Sequence, residues 1–176
     1  MNMQPFFFRL FYSVHLPEAL SMSYWLMKSE PTEVSIHDVL AAPDQTMPWF
    51  GIRNYQSRNF MRDAMRVGDG VLFYHSSCPA PGIVGLAEVA STSYPDFSQF
   101  DQRSHYFDPK ATPENPRWMM VDIRALRAVP LVPLSALRAA EELVDMQVLK
   151  RGNRLSISRV EPADWRWINQ HLIAPA

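Results

Sequence analysis

Residues 49–77, WFGIRNYQSRNFMRDAMRVGDGVLFYHSS, constrain this chain more than any other stretch. Trp49, Phe50 and Gly51 open it, at a place where the backbone can bend and rings can line a cavity. Arg53, Asn54, Tyr55 and Gln56 follow, a dense set of planar and hydrogen-bonding side chains. The spacing of Phe60, Ala64 and Val67 predicts a short helix over residues 59–66, with Arg58, Arg62 and Arg66 facing water. Gly68-Asp69-Gly70 is expected to end it, because glycine tolerates the left-handed backbone of a helix exit. Val71-Leu72-Phe73-Tyr74 then reads as a buried strand that delivers Tyr74, His75 and Ser76 at its end. Rings, an amide, hydroxyls and an imidazole enter and leave one small unit. That mixture suits a flat heteroaromatic ligand better than it suits a plain core.

Short strands and short helices surround this unit. Tyr24-Trp25-Leu26-Met27 reads as an apolar strand stopped by Lys28-Ser29-Glu30-Pro31. Ser35 is placed to cap a helix through Leu40 with Ile36, Val39 and Leu40 on its inner face. Residues 83–89 form the return strand, where Gly85 permits a bulge or a close backbone approach. Residues 91–116 are long, aromatic and rich in proline, as lids and ordered binding loops are. Strands are expected over 118–127 and 155–160, and helices over 134–140, 141–149 and 163–172, the last packing through Trp165 and Ile168. No βαβ rhythm is present, so the pattern predicts an α+β domain built on a curled sheet or open barrel.

The 176 residues amount to one domain with a real core. A net charge of -1 argues against a generally basic nucleic-acid coat and leaves only a local patch for such binding. The single Cys78 excludes a disulfide framework and fits a reducing compartment, hence a cytoplasmic placement. Residues 1–22 fit neither a bilayer span nor a signal peptide, since no positive residue precedes the apolar run. They are read as an extension ahead of a translation start at Met22, with the domain occupying residues 23–176.

Several motifs in fixed order carry a family resemblance. They are Tyr24-Trp25-Leu26-Met27-Lys28-Ser29-Glu30-Pro31, then Trp49-Phe50-Gly51-Ile52-Arg53-Asn54-Tyr55-Gln56, Gly68-Asp69 and Phe73-Tyr74-His75-Ser76. Gly82-Ile83-Val84-Gly85, Tyr106-Phe107-Asp108-Pro109, Trp118-Met119-Met120-Val121-Asp122 and Arg151-Gly152-Asn153-Arg154-Leu155-Ser156 continue them. In these motifs the chain resembles the EVE domain, a family grouped with the PUA-like folds and the YTH domain. The resemblance implies a PUA-like pseudo-barrel of curled mixed β-sheet with short flanking helices. It also implies a pocket that reads a nucleobase, often a modified one such as a methylated cytosine or adenine, in DNA or RNA.

Reading a base outside its stack needs a slot between rings and polar groups for the base edge. Trp49, Tyr106 and Trp118 are the candidate walls, with core packing as the competing role of each. Lys28, Ser29, Arg53, Asn54, Tyr55, Tyr74, His75 and Ser76 are the candidate polar and aromatic contacts, although Asn54 is equally suited to cap a helix. Phosphate contacts are expected from Arg58, Lys150, Arg151 and Arg154. The expected partner is nucleic acid carrying a modified base, with no membrane and no cofactor, and with protein partners left open. The five histidines show no paired metal-ligand spacing. A competing enzymatic reading pairs His75 with Cys78 as a thiol nucleophile, with Asp69 or Asp101 orienting the base. A third reading is a protein-interaction module whose slot takes a peptide aromatic.

Overall fold

The computed structural model describes residues 22–173, so residues 1–21 of the proposed extension lie outside the described residues and the proposed start, Met22, is the first of them. At its centre β1 (Tyr24–Ser29) and β3 (Gly70–His75) run parallel, Trp25 opposite Val71 and Met27 opposite Phe73. Both are near-continuous apolar runs, the pattern of strands covered on two faces. Trp25, Met27, Val71 and Phe73 enter one core, while Leu26, Leu72 and Tyr74 enter another on the opposite face. Antiparallel neighbours complete a six-stranded mixed sheet: β4 (Gly82–Val89) beside β3, β7 (Asp122–Pro133) beside β4, β2 (Thr46–Pro48) at one edge and β8 (Ile157–Val160) at the other. Gly85 sits at register shifts on both sides of β4, and a Cβ there would lie 2.5 Å from Ile36 Cδ1. Glycine is required at that bulge because α1 (Ile36–Ala41) presses on the sheet there.

Helix α1 starts with a full capping box, in which Ser35 Oγ accepts from the Asp38 N–H and Asp38 accepts from the Ser35 N–H at 2.8 Å. The expected helix over 59–66 instead begins earlier as α2 (Tyr55–Asn59) and continues as a π turn over Phe60–Ala64. Asn54 sets that start, since its Oδ1 accepts from the Ser57 N–H at 3.0 Å. Val67, expected to pack, is exposed, and Gly68 turns the chain with φ +90°. The strand expected over 118–127 is split. Met119–Met120 forms β6, which pairs with β5 (Tyr94–Pro95), and Val121 breaks the run by accepting the Trp49 N–H at 2.8 Å. In place of a helix over 141–149 stand two 3-10 turns, Glu141–Leu143 and Gln147–Leu149. They bury Leu143, Met146 and Val148, whose spacing of three and then two would not share one face of a continuous helix. With α3 (Leu134–Ala139) and α4 (Pro162–His171) these turns cover the second core, and Trp165 stacks on Tyr24 at 4.5 Å.

Candidate functional site

The open edges of the sheet meet at one cavity of about 360 Å³. Met47, Pro48 and Trp49 reach it from the β2 edge, and Arg154, Leu155 and Ser156 reach it from the chain entering β8. Lys28, Ser29 and Ser76 come from the ends of the central parallel strands. Val34, Val39, Ile52 and Ile123 add apolar surface, and Glu30, Glu33, Phe50 and Tyr106 stand at the mouth. The cavity therefore occupies the seam where a curled sheet fails to close into a barrel.

Each wall is held by the fold. Trp49 is almost wholly buried, its ring edge-on to Phe73 at 5.2 Å, so it serves as core and wall together. Gly51 has φ +83° and lies under the Tyr106 ring, where a Cβ would approach ring carbons to 2.8 Å. The Tyr106 hydroxyl donates to the Glu33 carboxylate at 2.7 Å, tying the long loop to the turn after β1. Burial, and then that hydrogen bond, push the Tyr106 phenol up to about 12. The Ser29 hydroxyl donates to the Val34 carbonyl at 2.7 Å. The Lys28 ammonium has no hydrogen-bond or ion-pair partner among the described residues, and burial lowers its pKa.

Behind Tyr106 lies a buried polar hub. The Asp96 carboxylate, with no exposed surface, accepts from the Gly51 N–H at 2.9 Å, from Arg53 at 2.8 Å and from the Ser98 N–H at 2.8 Å. Arg53 also donates to the Tyr106 carbonyl at 2.9 Å and lies over both the Tyr106 and Trp118 rings at 5.3 Å.

Of the sequence-derived candidates, the structure brings Lys28, Ser29, Trp49, Ser76, Tyr106 and Arg154 to the cavity. The others lie off it. Arg53 braces the loop from behind, and Asn54 is the cap of α2. Tyr55 and Trp118 stack on each other at 4.9 Å, with the Trp118 indole N–H donated to Asp108 at 2.7 Å. Tyr74 packs in the second core. His75 accepts the Ile36 N–H through Nε2 at 3.3 Å, so it closes the start of α1. Arg58 donates to the Arg117 carbonyl at 2.8 Å, Lys150 pairs with Asp145 at 2.8 Å, and Arg151 is exposed on a turn away from the cavity lining. Glu33, Phe50 and Gly51 were missed as site residues. Phe50 and Gly51 carried a signal, a ring and a glycine at a place where the backbone can bend and a cavity can form, whereas Glu33 carried none.

Two groups of the competing thiol reading have other partners. His75 is committed to α1, and Asp69 accepts from Trp25 Nε1 at 2.9 Å and from the Ser23 and Arg66 N–H groups at the far end of β3. Among the described residues no group of three His, Cys, Asp or Glu side chains is placed to hold a metal ion. No described helix is long and apolar enough to cross a membrane.

Comparison with known proteins identifies the architecture. Residues 23–171 match the family model described as the EVE domain. The chain belongs to the EVE domain family. Its mixed sheet with short flanking helices is the α+β, PUA-like fold that the motifs implied. Human thymocyte nuclear protein 1 is 43% identical over 127 residues, covering 66% of this chain and 56% of the relative. The chain thus spans little more than half the length of such relatives. A Pseudomonas putida crystal structure shares 44% identity and superposes with TM-score 0.80, covering 84% of this chain and 97% of that one. Human THYN1 in complex with 5-methylcytosine-containing DNA shares 38% identity with this EVE domain, with TM-score 0.79 over 84% of this chain and 96% of that one. The expected cytoplasmic placement is corrected by the human and chicken relatives named thymocyte nuclear protein 1, a name that points to the nucleus for those proteins. A lone free cysteine could not separate the two, because both compartments keep thiols reduced.

Proposed function

We propose that this EVE domain binds a modified nucleobase, a methylated cytosine or adenine, turned out of its stack into the seam cavity, and performs no chemistry on it. The observation that carries the reading is the human relative bound to 5-methylcytosine DNA, which shares this fold over most of the chain. The chemistry of the cavity supports it. Its volume of about 360 Å³ falls within the range of small-molecule sites, and one wall is the Trp49 ring. Lys28 supplies a free donor, while Glu30 and Glu33 supply acceptors at the mouth. A paired donor and acceptor can meet an amino group beside a ring nitrogen, the edge of cytosine and adenine. Val34, Met47 and Ile52 offer apolar surface to a methyl group. Lys28, Ser29, Trp49, Ser76 and Tyr106 are the proposed base contacts, and Arg154 the proposed phosphate contact.

Burying one methyl contributes about 0.8 kcal/mol, so selectivity from it alone is roughly fourfold. Titration of oligonucleotides with and without 5-methylcytosine or N6-methyladenine, as DNA and as RNA, tests the reading. Tighter binding of one modified form is expected. Equal affinity for modified and plain strands would remove the modified base from the proposal. No binding to any strand, with capture of an aromatic peptide instead, would replace it with a protein-interaction role.

A further inference from the structure

Phe97 is exposed to 53% on a turn that the fold holds with unusual firmness. The turn Phe97–Gln99 is capped by the buried Asp96 carboxylate, the same group that holds Gly51 and Arg53. Gln99, also fully buried, donates from Nε2 to the Asp96 carbonyl at 2.7 Å and to the Trp118 carbonyl at 2.9 Å. A segment anchored so thoroughly still presents a phenyl ring to water, which folding does not require. That ring meets Phe50 at 5.4 Å, and Phe50 both lines the cavity and stands edge-on to Tyr106 at 6.2 Å. An aromatic surface therefore runs without a break from the cavity mouth to solvent.

We propose that Phe97 and Phe50 form a stacking platform for the nucleobase next in the strand to the one held in the cavity. The proposal rests on the base-binding reading and extends it from a single base to a short strand. A base turned out of its stack leaves its neighbour with an uncovered face, and a phenyl ring fixed in place covers that face at little entropic cost. Stacking of this kind tolerates every base, so the platform adds affinity with little preference for flanking sequence.

Phe97→Ala tests this on a side chain whose exposure leaves the fold undisturbed. Three ligands are titrated: a 5-methylcytidine deoxymononucleotide, a single-stranded trinucleotide centred on the same base, and that trinucleotide with abasic flanks. The wild-type domain should bind the intact trinucleotide more tightly than the other two. Phe97→Ala should lose about 5- to 140-fold on the intact trinucleotide and nothing on the mononucleotide or the abasic form. Unchanged trinucleotide binding by Phe97→Ala overturns the platform, and so does an equal loss on all three ligands. If the wild-type domain binds none of them, the base-binding reading fails with it, a result distinct from the other two.

Discussion

At Lys28, burial works against the ammonium, and no carboxylate among the described residues compensates it. A depressed lysine pKa means that the folded state binds the proton more weakly than the unfolded chain does. At neutral pH the charge is therefore a cost to folding, relieved as pH rises through the depressed folded pKa and gone once pH passes the ordinary lysine value. Such a cost is retained where a ligand uses the group. Lys28→Met is expected to leave the melting temperature unchanged or raised while weakening binding of the modified oligonucleotide about tenfold or more. A lower melting temperature with unchanged affinity would make Lys28 structural. Tyr106 has the opposite sign. Its phenol is raised to about 12, so its contribution to stability is complete below the ordinary tyrosine pKa near 10 and is lost as pH rises through about 12. Ultraviolet titration of the tyrosinates should show one phenol, that of Tyr106, ionising at about 12. Glu33→Gln should bring it down, because the hydroxyl then loses its anionic acceptor.

The loop between β5 and β6 depends on Asp96 as a strand depends on its ladder. Asp96→Asn would leave Arg53 without its carboxylate partner and weaken the acceptor shared by Gly51 and Ser98. Breaking a buried pair costs about 3 kcal/mol, and slightly less is expected here because Arg53 is partly exposed. Denaturant unfolding measures that loss, and faster amide exchange at Gly51 and Ser98 would locate it; a loss below about 1 kcal/mol would show the hub to be incidental. The two central strands were legible in the sequence for a simple reason. Runs such as Trp25-Leu26-Met27 and Val71-Leu72-Phe73 are apolar on both faces, and only a central strand buries both. Ser35 and Gly68 likewise announced the start of α1 and the turn before β3 through their own local chemistry. The loop hub was not legible. Tyr106 and Glu33 are 73 positions apart and Arg53 and Asp96 are 43 apart, and no local period links such pairs. Trp118 and Tyr55 looked like pocket rings for the same reason: their composition suits a base slot, but they satisfy each other.

Taken over the whole surface, the net charge of -1 leaves little general attraction for phosphate. Part of the positive charge is already paired, Arg53 with Asp96, Arg62 with Asp63, Arg103 with Asp101, Arg117 with Asp108, Arg124 with Glu88 and Lys150 with Asp145. Among the residues lining the cavity, Lys28 and Arg154 are the cations. Affinity should then come from the base more than from the backbone, and the salt dependence of binding should be shallow. Each phosphate contact contributes a slope of about -0.9 on duplex DNA or about -0.7 on a single strand. Arg154→Ala should reduce the slope by about one such unit and weaken modified and plain strands equally, since a phosphate carries no information about the base. Arg151→Ala, at an exposed residue outside the cavity lining, should leave the slope as it is. Titrations at several salt concentrations distinguish the cases. An unchanged slope in Arg154→Ala would put the backbone on another surface, whereas equal drops in both variants would extend the footprint along the 151–154 turn.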